Sequence, residues 1–135
     1  MMDPQQELFT RLLVDLTAYG KEKGIGVYDS ILPPGGTPYP FIYLGDVSQE
    51  DDMGNKSMIF AACTVMIHVF SDQPRRRGTL SGILSDIRSI CRNIERTSGY
   101  AWRGTGMSQQ ILPDNTTAVP LMHGVITADF TTIGG

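Results

Sequence analysis

Cysteine and histidine are scarce in this 135-residue sequence, with two of each. Cys63 and Cys91 stand outside any CxxC pair or dense cysteine framework. That excludes a disulfide-stapled scaffold and fits a reducing compartment. A basic excess is missing too. The 11 Lys and Arg face 14 Asp and Glu, a net charge of −3, which argues against a dedicated nucleic-acid binder. The apolar stretch at 59–70 falls short of the roughly 20 residues a membrane helix needs. The opening MMDPQQE is acidic and polar, with no apolar segment of a secretion signal, so a soluble, intracellular protein is expected. No Gly-x-Ser-x-Gly, Walker or dinucleotide motif occurs. The run RGTGMS at 103–108 has Gly104 and Gly106 but no third glycine and no following helix. Repeats and low-complexity segments are also lacking.

What is present reads as one globular domain, 41% hydrophobic and 19% charged. A helix begins at Pro4, with Asp3 as N-cap and Gln6 at capping-box spacing. Leu8, Leu12 and Leu16 form its buried stripe, widened by Phe9, Leu13 and Tyr19. Gly20 or Gly24 ends it. A short strand is expected at Gly26 to Ser30, then a Pro/Gly loop, ILPPGGTPYP. FIYLGDVS reads as a strand and QEDDMGNK as a polar hairpin loop with Gly54 near its tip.

The stretch IFAACTVMIHVF, 59–70, decides the architecture. Alternation gives one wholly apolar face: Ile59, Ala61, Cys63, Val65, Ile67 and Val69. The other face, from Met58 through Phe60, Met66 and His68 to Phe70, is mixed. A long central strand fits, and its second face is too apolar for plain solvent surface. Either another layer or another subunit covers it.

Asp72 to Glu95 is expected to be the second helix, with Leu80, Ile83, Leu84, Ile87, Ile90, Cys91 and Ile94 on its apolar side and Gly99 at its exit. Tyr100 to Leu112 then reads as a strand, PDN at 113–115 as a turn, and Thr116 to Ile133 as the last strand, with Pro120 at an edge or bulge. The element order is α-β-β-β-α-β-β.

Candidate chemistry is thin. Cys63 and His68 are five apart and point to opposite faces of a strand, so with His123 and Cys91 they form no ligand set by spacing. Cys91 falls on the apolar side of its helix, as a small buried hydrophobe does. No metal, no cofactor and no catalytic residues are expected, and the chain does not read as an enzyme. The basic cluster PRRRG carries Arg75, Arg76 and Arg77 at a helix start, where the macrodipole disfavours them. Either it is solvated surface or it contacts a partner protein or phosphates. Its acidic counterpart is Glu50, Asp51 and Asp52. Unlike patches of this kind suit a head-to-tail ring. The candidate interface is therefore Glu50, Asp51, Asp52, Phe60, Met66, His68, Arg75, Arg76 and Arg77.

Three stretches, PYPFIYLGD after the Pro/Gly loop, MIHVFSDQ…GILSDIRSI, and LMHGVITADF, together resemble the bacteriophage tail-completion family of tail terminators and tail-to-head joining proteins. The likeness covers most of the chain from Val27 to Phe130. PRRRG departs from the acidic or mixed helix start expected there. The resemblance implies an α+β fold, a mainly antiparallel sheet of four to five strands with two α-helices packed on one face. It implies a structural role in the virion, with host cytoplasm as the place of assembly. Subunits would form a ring, commonly a hexamer, at the head-proximal end of the tail tube. Its partners would be itself, the tail tube protein and a head-completion or connector protein, with DNA passing through the ring and no membrane. The alternative is a small α+β ligand-binding or protein-interaction module, which would need a pocket with convergent polar groups.

Overall fold

The computed structural model describes residues 3–29, 32–55, 58–114 and 120–133, with backbone alone at 52–55 and 58–59. Ser30, Lys56 at the end of the expected hairpin loop, Asn115 and the expected start of the last strand at 116–119 lie outside the described residues, as do the side chains of Asp52, Met58 and Ile59, while Gly54, expected near the hairpin tip, lies in a strand.

Helix α1 spans Pro4–Lys23. The Asp3 carboxylate accepts the Gln6 backbone N–H at 3.3 Å, while the Gln6 side chain donates to Thr10 Oγ1 at 3.1 Å. Only one half of the capping box is therefore made. Gly20 stays helical, and Gly24 caps the C-terminus at φ 71, a left-handed conformation natural to glycine. The strands are β1 (Gly26–Asp29), β2 (Phe41–Asn55), β3 (Met58–Ser71), β4 (Ala101–Asp114) and β5 (Leu121–Ile133), with α2 (Arg77–Arg92) between β3 and β4.

The sheet order is β1-β2-β3-β5-β4. β1 runs parallel to β2, and every other pair is antiparallel. The central place of β3 and the α+β class are as the sequence predicts. Leu8, Leu12 and Leu16 of α1 and Leu80, Leu84 and Ile87 of α2 meet Cys63, Val65, Ile67 and Val69 in one core. Each such aliphatic side chain stabilises by about 1.5–3 kcal/mol on full burial.

Four expected boundaries move. Residues 49–55 are strand, not loop: Glu50 pairs with Ala62, Asp51 with Ala61 and Asp52 with Phe60. Backbone pairing to the first half of β3 keeps this segment extended despite its polar side chains. Helix α2 starts at Arg77, not Asp72. Residues 73–76 form a turn closed by the Arg76 N–H on the Gln73 carbonyl at 2.9 Å. It ends at Arg92, not Glu95, because the Glu95 carbonyl accepts the Trp102 N–H at 2.8 Å and draws the chain to the sheet. Ile94 is buried all the same. Pro113 and Asp114 belong to β4, paired with Met122 and Leu121, rather than to a turn. Pro120 precedes β5 and so costs no ladder bond.

Candidate functional site: the open face of the sheet

Both helices cover one face of the sheet, and the other carries a row of rings. Strand pairing dictates this row. Residues paired across strands point to the same side, so Tyr28 opposite Tyr43, Phe41 opposite Phe70, and His123 opposite Phe70 share the face away from the helices. Phe41 and Phe70 stack at 5.1 Å between centroids, and Phe70 and His123 at 4.3 Å. Tyr28 meets Phe41 edge-on at 5.8 Å, and Tyr39 leans on it at 5.4 Å. Tyr43 lies 5.7 Å from His68. The row crosses β1, β2, β3 and β5. Phe41 is buried by its neighbouring rings, whereas Phe70, Tyr43, His68 and His123 are half-buried.

His68 and His123 meet within this row. Their rings stack at 4.9 Å, and His68 Nδ1 lies 2.8 Å from His123 Nε2. One of these nitrogens donates its N–H and the other accepts. Burial holds both imidazoles below the ordinary histidine range, and the charge of His68 lowers His123 further. Asp46 on His68 and Asp114 on His123 pull the opposite way and lose. Further along, Thr64 Oγ1 donates to the Asp129 carboxylate at 2.7 Å. Phe60 and Met66 are half-buried on the same face. On β4, Leu112 opposite His123 is 44% exposed.

The charged candidates stand at the two ends of β3. Glu50 and Asp51 are exposed on β2, Glu50 on the ring side and Asp51 on the helix side. Arg75, Arg76 and Arg77 are exposed beyond the other end of β3. From Ala62, opposite Glu50, to Ser71 the strand rises about 30 Å. The two patches therefore do not pair within one molecule. Helix α2 has no acidic residue in its first turn and no side-chain cap, so its own first turn does not offset the arginines.

Parity along β3 puts Phe60, Met66, His68 and Phe70 on this face, the first three as interface candidates, and gives no sign of Phe41, Tyr43 and His123 as contributors. The alternation in FIY, continued from β3, was the available signal. His68 and His123 are 55 residues apart, and only the register of β3 against β5 brings them together. Cys63 and Cys91 lie on the helix side, both buried, with thiols pushed up by burial to about 11 and about 12. No group of three or more His, Cys, Asp or Glu among the described residues is disposed to hold a metal ion. No helix among the described residues is long and apolar enough to cross a membrane.

A groove on the helix side, about 330 Å³, is lined by Glu7, Arg11, Arg96 and Thr97. The Gly99 N–H donates to Glu7 Oε1 at 2.8 Å, and Arg11 donates to the Arg96 carbonyl at 2.8 Å. These bonds tie the α2–β4 connection to α1, so the groove's polar groups serve the fold.

No family model and no curated protein matches the sequence. The fold is similar to that of a chain in the virion of a native gene transfer agent particle, with 17% identity and a TM-score of 0.64 over 97% of this chain and 95% of that one. A second solved structure matches 96% of this chain and 93% of its own, at 12% identity and a TM-score of 0.59.

Proposed function

We propose that the chain is a non-catalytic structural protein of a tailed, phage-type virion. Copies form a ring at the head-proximal end of the tail tube, end tube growth and join tail to head. The observation that carries this reading is the open face. It is a half-buried row of rings spanning four strands, with acidic and basic patches about 30 Å apart at the two ends of β3. A surface that aromatic and that continuous belongs to an interface more often than to a solvated monomer. Opposite patches at opposite ends suit a head-to-tail contact that closes into a ring. The fold shared with a virion chain agrees with this reading.

In the ring, tube protein and head connector bind opposite rims, and DNA passes through without sequence recognition. The protein belongs to the virion neck and is assembled in the host cytoplasm. Light scattering on the purified protein, with and without tube protein, tests the assembly. Discrete multiples of the 14.8 kDa chain are expected, with six copies the natural first candidate. A strict monomer under both conditions sinks the ring.

A further inference from the structure

We propose that His68 and His123 form a proton-operated latch on the open face, closed when the rings share one N–H···N bond and open when both rings are charged. The inference rests on the reading of that face as the subunit contact. Its geometry is independent of that reading.

His68 Nδ1 and His123 Nε2 are 2.8 Å apart, so only one of the two facing nitrogens holds a hydrogen. A first added proton goes to an outward nitrogen, and the bond persists with charge assistance. A second proton sets N–H against N–H and places two like charges in rings 4.9 Å apart. Neither ring can turn aside without disturbing the row, because Phe70 stacks on His123 at 4.3 Å and Tyr43 lies 5.7 Å from His68. Opening the latch therefore disorders the aromatic surface that a second copy would meet.

The groups facing the pair are few. β2 supplies Tyr43 and Asp46, and β4 brings Asp114 and the uncharged Gln110 and Leu112. On β3 and β5 the neighbours on this face are Met66, Phe70 and Val125, all apolar. The two carboxylates favour protonation, yet burial prevails and both imidazoles stay below their ordinary range. The sign follows. The unfolded histidines take up protons near pH 6.5, while the folded pair resists until lower pH. Stability from the neutral pair is present above about pH 6.5 and is lost as pH falls towards the folded values.

The test combines imidazole NMR titration with light scattering at pH 7.5 and pH 5 on the wild type, His68→Gln and His123→Gln. Two linked titration steps are expected, both below the ordinary value of about 6.5. His68→Gln should move the His123 midpoint upwards. The wild-type assembly should lose mass at pH 5, while a folded glutamine variant, which keeps one histidine and so cannot set two charged rings against each other, keeps it. Two independent titrations near 6.5 overturn the latch. So does equal behaviour of wild type and variants at both pH values. A wild type monomeric at pH 7.5 counts against the ring, and the latch is then decided by the titration alone: linked steps uphold it, independent steps end it.

Discussion

The side chain of Leu84 on α2 rests directly on Gly124 of β5. A Cβ at Gly124 would stand 2.8 Å from Leu84 Cδ1 and 3.2 Å from its Cγ. Leu84 is wholly buried, so it has no free space to retreat into. Gly124→Ala is expected to cost about 1–3 kcal/mol by overpacking, measured by chemical denaturation. In a Leu84→Ala background the same change should cost clearly less, because the two sites share one contact. An undiminished cost there would mean that the close approach is not the cause.

Ile87 is wholly buried where α2 meets the sheet. Ile87→Ala should lower unfolding free energy by about 2–5 kcal/mol through lost burial and the cavity left behind. A loss under about 0.5 kcal/mol would show that the helix does not pack in this phase.

Glu7 gives a pH signature. The Gly99 backbone N–H, then the Thr97 side chain, hold its carboxyl below the ordinary range. A lowered folded value stabilises above the unfolded carboxyl range, near 4.3 for glutamate, and the gain fades as pH falls through the folded value. Glu7→Gln should therefore melt below the parent at pH 7, with the gap closing as pH falls through the lowered folded value. A gap of constant size across that range would assign the effect to packing instead of charge.

Reversing Arg75, Arg76 and Arg77 to glutamate should leave the monomer folded, since all three are exposed, and should block ring assembly. The effect should depend on salt, because the Debye length is about 10 Å at 0.1 M. Changing Glu50, Asp51 and Asp52 to lysine in the same chain should restore part of the assembly if the patches meet between subunits. Normal assembly by the arginine reversal alone would make the cluster plain solvated surface. A block with no rescue would point to a neighbouring protein or to DNA.

Much of the architecture was legible because it rests on periodicity. The alternation through Cys63, Val65, Ile67 and Val69 marks the core face of β3, and the spacing of Leu80, Leu84, Ile87 and Cys91 marks that of α2. The boundaries were not. Glu50 and Asp51 look like loop because strand pairing by backbone bonds leaves no trace in polar side chains. Asp72 before Pro74 imitates a helix start, yet the turn at 73–76 intervenes. The ring row was half legible. Phe60, Met66 and His68 followed from parity within one strand. Phe41, Tyr43 and His123 required the register between strands, which no single strand encodes.

β5 comes last of the five strands in chain order, yet it lies between β3 and β4. While the nascent chain leaves the ribosome, β3 can pair with β2 but not on its other edge. Ten residues of its most apolar stretch, Ala62 to Ser71, wait there for β5. The sheet is therefore completed only late in synthesis, and the contacts that complete it are distant in sequence, the kind that slows folding. Until then the bare edge invites mispairing with other chains. Synthesis of many copies side by side makes that hazard greatest, and timely emergence of β5 is what relieves it.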